Sequence, residues 1–376
     1  MIVQRIYPQS IPQKIQAIGA DAIGQKIMSK KAHIFGFEIT GLSFEAVNIL
    51  KQEALSVGGD CATPRDTIAH KGKHIALLIA TRSQLEKIIA KLSIQPFGLK
   101  TLKSLLQGHL KTQSAVPSLM AIINATPDSF YKHSQTEGEQ AIKRINTLLE
   151  KEVDIIDIGA ASSRPGSELI ESDEEIARLK PIVEYIATHK LYEKVCFSID
   201  TYNPQTADYA LSRGFKMIND VSGFSNAQMI QVATKYNARV VLMHTKGTPE
   251  TMQSLTDSYT HLFNDIDCFF EHKIALLNDA GITDIILDIG FGFAKDTSQN
   301  IALIKDLAHF LHFGFPLLVG ASRKNTIGQI TGKKVENRLA GTLALHLFAL
   351  QNGASILRIH DEDEHIDMLK MYKAMQ

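Results

Sequence analysis

Cysteine is scarce in this chain: three in 376 residues, at positions 61, 196 and 268, with no C-x-x-C pair among them. That spacing excludes a disulfide framework and the usual zinc-binding pattern, and it fits a reducing cytoplasm. Charge of one sign is not in excess either, because 40 Lys and Arg offset 40 Asp and Glu. Nothing in that balance draws the chain to nucleic acid or to an anionic membrane. No run approaches the roughly 18 apolar residues of a membrane span. The start of the chain carries Pro8 and Pro12 where a secretory signal needs an apolar stretch. The phosphate-loop signatures G-x-x-x-x-G-K-[ST] and G-x-G-x-x-G are missing too, so Gly58-Gly59-Asp60 reads as a plain turn. The expectation is a cytoplasmic protein that acts on small molecules.

What the chain does have is a regular alternation of strand and helix signals from Pro117 onward. Short apolar runs fall at 118–124, 154–159, 195–200, 216–220, 239–244, 284–290, 316–322 and 356–361. Helical stretches fill the gaps at 139–151, 173–190, 204–212, 226–236, 259–279, 298–311 and 335–351, with a last one from Glu362. Local chemistry sets several boundaries. Asn203 and Pro204 open one helix and Gly214 follows it, Ser172 with Glu175 has the spacing of a capping box, and Gly281 and Gly353 close two helices. Eight such units in roughly 250 residues predict a (β/α)8 TIM barrel, although periodicity alone also allows an open doubly wound sheet. Residues 1–112 predict a separate small α/β domain, with strands at 32–40 and 74–81 and helices at 44–57, 82–92 and 99–110. The barrel domain is expected over 118–376.

The strand ends carry polar residues in every case: Asn124, Asp157, Asp200, Asn219, His244, Asp288, Ser322-Arg323-Lys324, and Arg358 with His360. A single polar strand terminus is commonplace, but a carboxylate stranded in apolar surroundings is costly, and a whole ring of such residues points to a ligand. Asp200, Asn219 and Asp288 offer acceptors and an amide suited to a flat heterocycle with amino and ring N–H donors. Arg164, Lys324, Arg358 and His360 offer donors suited to an oxyanion such as phosphate.

These residues sit in fragments that resemble the dihydropteroate synthases of folate biosynthesis. The carriers are I-I-N-A-T-P-D-S-F (122–130), D-I-I-D-I-G-A-A-S-S-R-P-G (154–166), S-I-D-T (198–201), I-N-D-V (218–221), L-M-H (242–244), D-I-G-F-G-F-A-K (288–295), G-A-S-R-K-N (320–325) and R-I-H-D (358–361). The resemblance implies condensation of a pterin-methyl diphosphate with p-aminobenzoate, giving 7,8-dihydropteroate and diphosphate. It implies that Asp200, Asn219 and Asp288 hold the pterin, with Lys324 beside the ring, and that Asp157, Met243 and Phe293 also bind substrate. Asn124, Arg358 and His360 then receive the diphosphate, with Asn124 as ligand of Mg2+. Ser163, Arg164 and Pro165, with Ser322, border the p-aminobenzoate and sulfonamide site. Catalytic roles fall to Asn124, Lys324, Arg358 and His360, and a homodimer is the implied assembly.

The chain departs from the family pattern at Tyr131-Lys132-His133-Ser134, where S-D-G-G is usual. It departs again at Ala160-Ala161 and Ser163, in place of Gly-Glu and Thr, and at Ile289, in place of proline. Other readings share parts of the pattern. A pterin-binding methyltransferase would have the same acidic floor but no need of S-S-R-P-G and S-R-K-N. An inactive scaffold barrel would not need Asn124, Arg358 and His360 together, and a Schiff-base aldolase would need a lysine on a strand, which Lys324 is not. No Ser-His-Asp or Cys-His arrangement is expected, because an aromatic amine is neutral at pH 7 and needs no strong base to act as nucleophile.

Overall fold

The computed structural model describes residues 1–67, 72–111, 116–125, 134–161, 169–248 and 251–375. The chain divides into two compact units, 1–112 and 113–375. Among the described residues the first holds three strands, β1 (Ile34–Leu42), β2 (Asp60–Ala62) and β3 (His74–Thr81), in one antiparallel sheet of order β1-β3-β2. Strand β3 alternates Ala76, Leu78 and Ala80 inward with Ile75, Leu77 and Ile79 outward, the two-residue period of a sheet covered on one face. Its covered face packs on the helices Phe44–Ser56, Arg82–Leu92 and Leu99–Gly108. Thr81 and Gln84 form a reciprocal cap at the start of the second of these.

The second unit is a closed barrel of eight strands in the order β10-β11-β4-β5-β6-β7-β8-β9, and every neighbouring pair is parallel. They are β4 (Ser118–Asn124), β5 (Ile155–Gly159), β6 (Cys196–Asp200), β7 (Met217–Asp220), β8 (Arg239–Met243), β9 (Ile285–Asp288), β10 (Leu317–Val319) and β11 (Ile356–Ile359). The predicted TIM barrel is therefore the observed fold, and the open sheet is excluded. Residues of opposite parity divide the core in two. Ile156, Ile158, Phe197, Ile199, Ile218, Leu242 and Leu287 face the surrounding helices. Met120, Ile155, Met217, Val241, Ile286, Leu318 and Ile356 form a separate cluster inside the barrel.

Some expected details differ. Ser172 and Glu175 do not form a capping box, because Glu175 is buried and its Oε2 accepts instead from Thr201 Oγ1 and Asn203 Nδ2, each at 2.8 Å. Asn203 stands at the helix start, but its side chain is spent on Glu175 and the Ile170 carbonyl. Gly214, Gly281 and Gly353 do take positive φ, at 99°, 84° and 100°. Asp60 opens the short strand β2 directly after the expected turn. The helices Ile11–Ala17, Ala22–Ser29 and Asn325–Thr331 have no counterpart in the sequence reading.

Candidate active site

The inner barrel cluster fixes what lies above it. Side chains two residues further along a strand return to the same face, so Ile155, Met217, Val241, Ile286 and Ile356 are followed inward by Asp157, Asn219, Met243, Asp288 and Arg358. On β6 the inward row runs Cys196, Ser198, Asp200, and on β4 it runs Met120, Ile122, Asn124. An apolar plug thus supports a polar floor at the C-terminal ends of the strands, where barrel active sites are built.

Three carboxylates are buried in that floor: Asp157, Asp200 and Asp288. Arg358 links two of them. Its Nε donates to Asp157 Oδ2 at 2.7 Å and its Nη2 to Asp200 Oδ2 at 2.5 Å. Asn219 Nδ2 also donates to Asp157 Oδ2, at 3.0 Å. Asp288 Oδ1 accepts from the Gly290 N–H at 2.8 Å. Burial pushes the Asp200 carboxyl up to about 7, against the pull of Arg358. Burial likewise raises Asp288, opposed by the Gly290 N–H and then by Lys324, Arg358 and Lys295. Donors do not match acceptors here, for Asp157 Oδ1 is buried with no hydrogen-bond partner among the described residues. An unmet buried acceptor costs about 1–3 kcal/mol, and N–H donors on a bound molecule would offset that cost.

Around the floor the loops place further groups. Gly290 takes φ 66°, and a Cβ there would lie 1.9 Å from the His244 carbonyl oxygen, so only glycine fits this turn. The Lys295 ammonium supports the same turn from below, donating to the Gly290 and Phe293 carbonyls and to His244 Nδ1 at 2.9 Å. Burial draws Lys295 down to about 7 and His244 well below its usual range. His244 is therefore committed to Lys295. Lys324 lies 4.2 Å over the Phe293 ring, and Phe293 packs with Met243.

His360 and Ser322 meet across two loops. The His360 N–H donates to Ser322 Oγ at 3.3 Å, and the hydroxyl lies 2.9 Å from His360 Nδ1. With the hydroxyl proton directed to Nδ1, the imidazole proton rests on Nε2 and is available to an oxyanion. Burial, followed by the positive charge of Arg358, lowers His360 to about 4, so the ring is neutral at physiological pH.

The structure thus gathers Asn124, Asp157, Asp200, Asn219, Met243, Asp288, Phe293, Ser322, Lys324, Arg358 and His360 on one end of the barrel, on strand ends or the loops that follow them. Ser163, Arg164 and Pro165 lie outside the described residues, as do 131–133 of the altered first loop. Arg358, expected at the diphosphate, contributes two of its donors to Asp157 and Asp200. The sequence reading missed the buried pair His346–His365 and the half-buried pair Arg323–Asp361 behind the loops. Their members lie 19 and 38 residues apart, and neither belongs to a local pattern that would reveal the pairing.

A parallel barrel with a floor of surplus acceptors and a rim of cationic and neutral donors defines an enzyme for a flat, donor-bearing heterocycle with an anionic tail. Comparison with known proteins makes this specific. A family model described as pterin binding enzyme matches residues 120–360. The bifunctional dihydropteroate synthase/dihydropteroate reductase of Helicobacter pylori is 52% identical over 378 aligned residues, covering 100% of this chain and 99% of its own. The dihydropteroate synthase of Escherichia coli (strain K12) is 37% identical, over 69% of this chain and 91% of its own. The solved dihydropteroate synthase from Xanthomonas albilineans in complex with 7,8-dihydropteroate has a TM-score of 0.61 at 32% identity, covering 69% of this chain and 94% of that one. The chain belongs to the pterin-binding enzymes and, within them, to the dihydropteroate synthases, transferases of folate biosynthesis.

Proposed function

We propose that the buried acceptor surplus at Asp157, Asp200, Asn219 and Asp288 is the pterin site of this synthase. The observation that carries the assignment is the unpartnered Oδ1 of Asp157, one of the two carboxylates that a single arginine bridges. Amino and ring N–H groups of a pterin supply the missing donors. Met243, Phe293 and Lys324 flank the ring. The amine nitrogen of p-aminobenzoate attacks the exocyclic methylene carbon, the C–O bond to diphosphate breaks, and the anilinium proton passes to solvent. Positive charge on that carbon is favoured by the carboxylates below it, and negative charge on the departing diphosphate by His360 Nε2–H, Lys324 and Arg358. Ser163, Arg164, Pro165 and Ser322 are assigned to p-aminobenzoate, and sulfonamides that imitate it compete there.

Asn124 ends the inward row of β4, and its amide is the hard oxygen donor that Mg2+ prefers. It fits as the protein ligand, because Arg358 already holds Oδ2 of both Asp157 and Asp200, and the free Asp157 Oδ1 is assigned to the pterin. Mg2+ held there supplies charge neutralisation to the diphosphate. One amide makes a weak site by itself, so calorimetric titration should give Mg2+ affinity in the presence of diphosphate and little without it. Tight Mg2+ binding by the protein alone would contradict the assignment.

No helix among the described residues is long and apolar enough to cross a membrane. Cytoplasmic residence and a homodimer complete the proposal, the second checked by the mass of the chain in solution.

A second activity is favoured by the reach of one comparison. The relative named as both synthase and dihydropteroate reductase matches the chain throughout, including residues 1–112, whereas the family model begins at residue 120. We infer that the chain also reduces the dihydropteroate it forms, adding hydride and a proton across the remaining C=N bond of the dihydropterin ring. A hydride donor of the reduced nicotinamide or reduced flavin class must supply the electrons. Oxidation of such a donor by the full chain should depend on dihydropteroate; oxidation at the same rate without it would exclude the reductase reading.

A further inference from the structure

The helix Leu339–Gln351 turns a row of polar groups toward the loop that carries Ser322 and Lys324. Arg338 at its N-terminus, Thr342 and His346 follow one another at four-residue spacing, so they share one helix face. Each grips the backbone of that loop. Arg338 Nη1 donates to the Arg323 carbonyl at 3.0 Å, Thr342 Oγ1 accepts from the Arg323 N–H at 3.0 Å, and His346 Nε2 accepts from the Ala321 N–H at 3.1 Å. Arg323 sits at φ 56°, a left-handed conformation that a side-chain-bearing residue adopts only when its surroundings hold it there.

A second helix, Glu362–Ala374, completes the arrangement. His346 Nδ1 lies 2.8 Å from His365 Nε2, and His365 Nδ1 lies 2.5 Å from the Asp361 carbonyl oxygen. Hydrogen-bond polarity leaves one arrangement of protons. The Ala321 N–H can only donate, so His346 carries its proton on Nδ1 and gives it to His365 Nε2. His365 then carries its own proton on Nδ1 and gives it to a carbonyl that can only accept. Both rings are wholly buried, and burial keeps both on the neutral side. The groups facing them are His360 for His346, and Asp361, Glu364 and Glu362 for His365. The Arg323 guanidinium also reaches Asp361, with Nε to Oδ2 at 2.9 Å, so the loops 321–324 and 360–361 are tied at two points.

We propose that Arg338, Thr342, His346 and His365 are positioning residues for the synthase reaction: a rail that holds the Ser322–Lys324 loop and the His360–Asp361 loop in a single geometry. It rests on the assignment of Ser322, Lys324 and His360 to substrate. None of the four touches the acceptor floor. The rail sets where the diphosphate and amine partners meet and where Lys324 lies beside the ring, while the buried acceptors that hold free pterin lie on other strands.

Two measurements on the full chain test this. Thr342→Val is nearly isosteric and removes the hydroxyl, whereas Thr342→Ser keeps it. With pterin-methyl diphosphate, p-aminobenzoate and Mg2+, Thr342→Val should lose at least tenfold in kcat while a pterin analogue binds within twofold of the parent. Thr342→Ser should restore kcat to within about threefold, although it loses a buried methyl group that a merely structural role would miss. A Thr342→Val variant with parental kcat, or a Thr342→Ser variant as slow as Thr342→Val, overturns the proposal. A parent chain that forms no dihydropteroate overturns the synthase reading and the positioning role with it. The second measurement does not depend on turnover. Long-range 1H–15N spectra near pH 7, assigned with His346→Gln and His365→Gln, should show both rings as neutral Nδ1–H tautomers. An Nε2–H tautomer at either ring overturns the rail itself.

Discussion

Arg358→Met should destabilise the barrel by about 3–5 kcal/mol at neutral pH, the usual consequence of removing one partner from a buried ion pair. Arg358 is the cation that bridges Asp157 and Asp200, and the variant would leave both carboxylates in the interior with no cation between them. For a barrel of this size the loss is on the order of 10 °C in Tm. The pH dependence distinguishes this cause from simple mispacking. Burial already raises Asp200 to about 7 with Arg358 opposing it, so removing the arginine raises it further. A carboxyl whose folded-state pKa lies above its unfolded value contributes stability that is full below the unfolded value and is lost as pH rises through the folded one. The variant's deficit should therefore be small near pH 5 and large near pH 8. A deficit that is the same at both, or a variant as stable as the parent at pH 8, would contradict the role given to Arg358.

Asp288→Ala should weaken binding of a pterin analogue by about 10- to 150-fold, equivalent to roughly 1.5–3 kcal/mol for a hydrogen bond to a charged group. Asp288 ends β9 with Oδ1 taken by the Gly290 N–H, which leaves its other oxygen for a ligand donor. The Gly290 turn keeps its support from Lys295, so the loss falls on the ligand and not on the loop. Asp200→Ala should act in the same direction. Calorimetric titration decides it, and unchanged affinity in both variants would remove the pterin assignment.

Much of this site was legible because a parallel barrel writes its site into the sequence at regular intervals. Each strand has a polar residue near its C-terminal end, and the two-residue period carries Asp157, Asn219, Asp288 and Arg358 inward once Ile155, Met217, Ile286 and Ile356 are known to plug the barrel. Closure was legible only through the number of units. What could not be read was pairing between distant strands. Arg358 lies 201 residues from Asp157 and 158 from Asp200, and only the closed ring, with β11 beside β4, brings them together. The same distance hid His346–His365. Glu175 misled for a different reason: its spacing from Ser172 imitates a helix cap, yet the side chain is drawn inward by Thr201 and Asn203. The short helix Asn325–Thr331 and strand β2 are too brief for periodicity to register.

The central claim is that the acceptor floor and the cationic rim together perform one condensation. Its most direct test is to incubate the purified full chain with pterin-methyl diphosphate, p-aminobenzoate and Mg2+, and to follow dihydropteroate and diphosphate together. The account predicts that both products form in equal amounts, that each substrate is required, and that a sulfonamide slows the reaction in a way excess p-aminobenzoate relieves. Release of diphosphate without dihydropteroate, or pterin binding with no condensation at all, would contradict it.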